Sequence, residues 1–140
     1  KGFTGRVLCE PGRILVASCG TLIGQVQYVK ETPDRNFLIL NTGMHHLIRP
    51  SLYEAFHRIL PLFEHGERPV KTYDVVGPIC ESSDVLGKSR SLHEVLQDEW
   101  LAIADAGAYG IAMASTYNEH ELPEQLFWEN GEILVPGIFW

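Results

Sequence analysis

Cysteine is scarce in this sequence: Cys9, Cys19 and Cys80 are the only three, and no two stand in a C-x-x-C spacing. An odd number so placed argues against a disulfide framework or a structural zinc site, and suits a reducing cytoplasm. Long apolar runs are missing as well. None approaches the roughly 20 residues needed to cross a bilayer, and no signal-peptide pattern opens the chain. Positive charge is in short supply, with 11 Lys and Arg against 18 Asp and Glu and a formal net charge of −7. That balance argues against non-specific nucleic-acid binding, which depends on clustered Lys and Arg. What remains is 45% hydrophobic and 21% charged over 140 residues, the composition of one folded domain rather than a disordered tail.

The chain begins at Lys1, and Gly5-Arg6-Val7-Leu8-Cys9 runs into a motif with no lead-in, as expected of a segment of something longer. Residues rich in β-branched and aromatic side chains predict strands over Gly20–Lys30, Asn36–Leu40, Val70–Val76, Trp100–Ala104 and Gly110–Ser115. Pro33-Asp34 and Gly77-Pro78 supply turns. Leu126-Phe127-Trp128, Asn130-Gly131 and Glu132–Val135 spell a hairpin with an Asn-Gly turn. Helix is confined to short pieces at Pro11–Ala17 and Leu52–Ile59, where Leu52, Phe56 and Ile59 share a helical face. Six or seven short strands with few helices predict a mostly β fold, an antiparallel, Greek-key-like barrel or sandwich.

Single features of the sequence carry two readings each. Glu10-Pro11-Gly12-Arg13 is an anion site if a helix begins there, and otherwise a common Pro-Gly turn with a surface Arg. Arg49 and Tyr53 stand four residues apart, so one helical turn aims a planar guanidinium and a phenol at one point. The plainer reading is a surface Arg and a half-buried Tyr. Cys80-Glu81 follows a strand and a Gly-Pro turn, where loops often carry chemistry, although a lone Cys is commonly a small buried hydrophobe. Asp105-Ala106-Gly107-Ala108-Tyr109-Gly110 lets a ligand or another backbone come close, or simply bends between strands. His45-His46, with His57 and His65, fits no standard zinc set; adjacent histidines on a strand would face opposite sides, and no metal is expected.

The order and spacing of these pieces say more than any one of them. Glu10–Arg13, Met44-His45-His46-Leu47-Ile48-Arg49-Pro50-Ser51-Leu52-Tyr53, Gly77–Asp84, Gly107-Ala108-Tyr109-Gly110 and Ser115–Asn118 together resemble the diaminopimelate decarboxylases, fold type III enzymes that use pyridoxal 5′-phosphate (PLP), along nearly the whole chain. The resemblance implies that residues 1–140 are a single C-terminal β-domain, with 1–10 the remnant of the last strand of an N-terminal (β/α)8 barrel. It implies that Gly12 and Tyr109 meet the cofactor, and that Arg13, Arg49, Tyr53 and Glu81 meet the substrate. Cys80 is implied as a proton donor reaching into the neighbouring subunit of a homodimer. The implied reaction of the full-length enzyme converts meso-2,6-diaminopimelate to L-lysine and CO2, with no nucleic-acid or membrane partner.

Such a substrate carries a second amino-acid head group, which an Arg49–Glu81 pair would recognise at both charges. Lys1, Lys30, Lys71 and Lys88 lie in no barrel-strand context for holding PLP, so the isolated chain is expected to fold, bind PLP poorly and turn nothing over. Two alternatives stay open: an ornithine- or arginine-type decarboxylase domain, and a non-catalytic β-barrel binding or assembly module. The sequence also departs from the family's pattern: an Asp is common near Asn41 and an Asn near His45, an Arg-Pro-Arg stretch usually follows where Tyr117-Asn118 leads into Glu119–Pro123, and the Val135–Trp140 ending is unusual.

Overall fold

The computed structural model describes residues 2–63 and 66–134. Lys1, His65 and the tail from Val135 to Trp140, the end of the expected hairpin included, lie outside the described residues. Among the described residues eight strands follow one another: β1 (Leu22–Glu31), β2 (Asn36–Leu40), β3 (Ile59–Pro61), β4 (Val70–Val76), β5 (Val85–His93), β6 (Trp100–Ile103), β7 (Phe127–Glu129) and β8 (Glu132–Leu134). The first six form one sheet in the order β3-β6-β1-β2-β4-β5, and β7–β8 is the separate Asn-Gly hairpin. All pairs are antiparallel except β2–β4, which run parallel with Asn36 opposite Tyr73.

The sheet curls because β1 serves two neighbours. Leu22–Gln25 pair with β6, the ladder shifts between Val26 and Tyr28, and the rest of the strand pairs with β2. A bulge of this kind bends a strand and raises its twist. At the far edges Ile59 of β3 reaches Gly87 of β5, where a Cβ would lie 2.9 Å from the Ile59 Cδ1. The sheet is therefore a nearly closed barrel, in keeping with the expected mostly β class. Its interior takes the alternate residues of each strand, Val26, Leu38, Leu40, Tyr73, Val75, Leu86, Leu101 and Ile103 among them.

Several local expectations fail for physical reasons. The Pro11–Ala17 helix is instead two 3-10 turns, Arg13–Leu15 and Ala17–Cys19, broken at Val16. No side chain caps either turn and none of their residues is buried, so nothing repays helix nucleation. The Leu52–Ile59 helix is displaced to α1 (Arg49–Tyr53), which stops at Glu54 in the left-handed conformation. Leu52 and Phe56 stay exposed while Ile59 enters the core as part of β3. Gly110–Ser115 is a 3-10 turn at Ile111–Met113, not a strand. His45 and His46 lie in a turn, so their rings meet instead of facing opposite sides. Residues 5–9 carry no regular structure and are exposed.

Candidate functional site

One end of the barrel holds an open cleft of about 690 Å³, with Arg13, Arg49, Tyr53, His57, Asp105 and Tyr109 on its walls. Three segments meet there. The first is α1, whose Pro50 sits at the first turn, where its missing N–H costs nothing. One turn of helix brings Arg49 and Tyr53 to the same side as their spacing predicts, with the guanidinium carbon 5.5 Å from the Tyr53 ring centre. Arg49 is only 8% exposed and also lies 5.9 Å from the ring of Tyr109. No carboxylate pairs with Arg49 among the described residues, so its cation is held between two aromatic rings.

The second and third segments are the 3-10 turns of residues 13–19 and the Asp105–Gly110 turn, clamped together by backbone. Gly107 N–H donates to the Ala17 carbonyl at 3.0 Å and Ala106 N–H to that of Gly20 at 2.9 Å. The two backbones touch at their glycines: a Cβ on Gly20 would run into Gly107, and one on Gly107 into the Val16 carbonyl. The small residues of this stretch thus admit another backbone. The clamp presents Tyr109, itself at φ 59°, so that its hydroxyl faces Gly12. A Cβ at Gly12 would stand 3.6 Å from that oxygen.

The structure thus gathers Arg13, Arg49, Tyr53 and Tyr109 around one cleft, with Gly12 beside Tyr109. It does not bring Cys80 and Glu81 to that wall. Both are exposed on the loop between β4 and β5, where Glu81 Oε1 accepts from the Ser82 hydroxyl and the Ser83 N–H. Cys9, Cys19 and Cys80 are free thiols.

Asp84 orders both regions, and sequence reasoning assigned it no role. Its Oδ1 accepts from Met44 N–H at 2.6 Å and its Oδ2 from Ile79 N–H at 2.8 Å. One carboxylate therefore joins the turn that launches α1 to the loop that carries Cys80-Glu81, with Gly43 and Gly77 closing against it. Ser51 Oγ adds a bond to the Ser83 carbonyl at 2.6 Å. Burial pushes the Asp84 carboxyl up, against the pull of those two N–H donors and, more weakly, of His120 and His46. Paired glycines at 43 and 77 were the available signal, since close backbone approach to a common partner needs them.

Histidines cluster on the other side of the same turn. The rings of His45 and His46 lie 3.7 Å apart, and those of His45 and His120 4.8 Å apart. His46 Nε2 donates to the Glu121 carbonyl and its Nδ1 accepts from the Thr42 hydroxyl, both at 2.8 Å. His45 is 1% exposed with neither ring nitrogen bonded. Burial, then His46 and His120, push it down from 6.5 to about 4. Among the described residues no three His, Cys, Asp or Glu side chains are placed to share a metal ion.

Residues 14–107 match the family described as pyridoxal-dependent decarboxylase, C-terminal sheet domain. The diaminopimelate decarboxylase of Bacteroides thetaiotaomicron is 51% identical over 115 residues, 82% of this chain and 29% of that protein. The diaminopimelate decarboxylase of Aquifex aeolicus is 44% identical over 133 residues, 95% of this chain and 31% of that protein. The crystal structure of the Helicobacter pylori diaminopimelate decarboxylase complexed with L-lysine superimposes with a TM-score of 0.80 at 43% identity, covering 91% of this chain and 31% of that one. The chain thus spans about three tenths of the length of these relatives. With the sheet, the cleft and the matched residues in agreement, the chain belongs to the C-terminal sheet domain family of the pyridoxal-dependent decarboxylases.

Proposed function

We propose that this chain completes the active site of a PLP-dependent decarboxylase acting on meso-2,6-diaminopimelate, with the rest of the site on an N-terminal barrel of the same polypeptide. The observation that carries this reading is Arg49, a buried guanidinium on the cleft wall with aromatic neighbours and no carboxylate partner among the described residues. A buried cation without a counter-ion is costly unless an anion arrives, and a planar fork suits a carboxylate. The distal carboxylate of the substrate meets that requirement, with the Tyr53 phenol beside it.

The residues present also suit the cofactor's phosphate. Gly12 leaves room opposite the Tyr109 hydroxyl, and Arg13 and Arg49 make the cleft cationic. Gly12 and Tyr109 would hold the cofactor from this side, while Arg13 orients the substrate. When bound, PLP supplies an electron sink for the charge left as CO2 departs. Cys80 and Glu81 stand away from their own cleft on an exposed loop, which suits service to the site of a second copy in a homodimer. There Glu81 would accept the distal ammonium and Cys80 would deliver a proton. Cys80, a free exposed thiol, suits a reducing cytoplasm.

The test is CO2 release by the full-length protein with PLP from meso-diaminopimelate, lysine, ornithine and arginine, with this chain alone as control. Release from diaminopimelate by the full-length protein alone is expected. Activity on ornithine or arginine would keep the cofactor and overturn the substrate. Silence from a folded, PLP-loaded protein on all four would favour a binding module instead.

A further inference from the structure

His57 follows α1 by four residues and sits on the cleft wall, yet only 3% of it is exposed. Its Nδ1 lies 2.9 Å from the Ala104 carbonyl, an acceptor, so Nδ1 carries the proton. Its Nε2 is then a bare lone pair, buried and without a partner among the described residues. A half-satisfied imidazole is an expensive way to fill space, because an apolar ring would leave no buried nitrogen orphaned. The one bond it makes is therefore the feature to explain.

That bond lands at a decisive place. Ala104 N–H returns a bond to the Arg58 carbonyl at 2.9 Å, so residues 57–58 hold both backbone groups of Ala104. Ala104 is the last residue before Asp105 turns left-handed at φ 61°, and Tyr109 does so at φ 59° four residues later. Between them, Ala106 and Gly107 are bonded to Gly20 and Ala17. The Asp105–Tyr109 turn is thus fixed in its middle by the 3-10 segment and at its start by His57.

We propose that His57 is a positioning residue: by holding the Ala104 carbonyl it sets the Tyr109 ring against Arg49 and the Tyr109 hydroxyl against Gly12. It acts on the site through Tyr109, and ties the chain that follows Arg49 and Tyr53 to the turn that carries Tyr109. Its kinetic consequence rests on the decarboxylase reading given above; its effect on Tyr109 does not.

The experiment compares His57→Asn with His57→Gln in the full-length protein. The Asn amide nitrogen replaces Nδ1 in reach of Ala104, whereas the Gln amide extends toward the Nε2 position and loses that carbonyl. Labelling with 3-fluorotyrosine and 19F NMR, with the Tyr109 resonance assigned by its loss in Tyr109→Phe, reports the ring's surroundings directly. The Tyr109 resonance is expected to shift in His57→Gln and to return in His57→Asn. In parallel, KM for diaminopimelate is expected to rise about tenfold in His57→Gln, the size of one lost hydrogen bond, and to recover to within about threefold in His57→Asn.

An unmoved Tyr109 resonance in His57→Gln, or identical resonances in the two variants, overturns the proposal. A wild type inactive on diaminopimelate overturns the substrate reading, and one inactive on all four amino acids the decarboxylase reading; either leaves the NMR comparison to decide on His57. Should His57→Gln fail to fold, 15N shifts of the wild-type imidazole settle the point. A protonated Nδ1 with a bare Nε2 supports the proposal, and the opposite tautomer overturns it.

Discussion

Acid should loosen this domain through His45 before its carboxylates are all protonated. A buried neutral imidazole must stay neutral in the folded chain, while the unfolded chain takes up a proton near pH 6.5. His45 falls to about 4 in the fold, chiefly through burial and then through His46 and His120. Because the folded value lies below the unfolded one, the unfolded state binds more protons between the two. Stability is therefore full above about pH 6.5 and is lost as the pH falls toward 4. At about 1.4 kcal/mol per pH unit, the loss comes to about 2 kcal/mol by pH 5 and about 3 kcal/mol by pH 4. His46 pulls in the same direction, since burial, its largest influence, lowers it.

The assay is urea denaturation of wild type and His45→Asn at a series of pH values between 7 and 4. Carboxylates common to both proteins cancel in the difference, leaving the His45 contribution. The difference should slope by about 2–3 kcal/mol across that range, against wild type at low pH. A difference curve flat to about 0.5 kcal/mol would refute the reasoning, because His45 would then titrate alike folded and unfolded.

Three further outcomes are expected. Asp84→Asn turns one of two acceptor oxygens into a donor facing Met44 or Ile79 N–H, and should cost about 1–3 kcal/mol in urea denaturation. Gly107→Ala drives a methyl into the Val16 carbonyl and Gly20; a loss of about 1–3 kcal/mol is expected, and none at all would mean that the two backbones part freely. Arg49→Lys in the full-length protein keeps the charge and loses the fork, so KM for diaminopimelate should rise by about 10–100-fold with a smaller fall in kcat, measured by CO2 release.

Strands whose alternation is clean were legible from sequence. Asn36–Leu40 and Val70–Val76 match β2 and β4 end to end, because Leu38, Leu40, Tyr73 and Val75 point into the barrel from a plain period of two. The strand β5 was invisible for the opposite reason. Gly87, Lys88, Ser89 and Arg90 interrupt its pattern, its ladder with β4 shifts twice, and Ser89 adopts φ 51° with its N–H on Asp74. Three-residue β3 is too short for any periodicity, and its pairing with β6 comes wholly from tertiary structure.

For the site, Arg49 with Tyr53 was readable as one turn of helix, and Gly107 as a close approach. Asp84 and His57 were not, since each acts on backbone groups from elsewhere in the chain. His45 and His120, 75 residues apart, stand ring to ring, a contact that no spacing in the sequence announces.

Parallel neighbours cannot be joined by a tight turn, and β2–β4 is the one such pair in the sheet. The chain leaving Leu40 must travel back along the barrel before Val70, and that return path carries the Thr42–His46 turn, α1, His57 and β3. One wall of the cleft is therefore built on the crossover itself, while the turns at 13–19 and 105–110 close it from outside that path. The β2–β4 rungs close the loop of residues 41–69, so they carry a larger loop-closure cost than the β1–β2 and β4–β5 hairpins. The wall that carries Arg49 thus belongs to the very loop that the parallel seam closes.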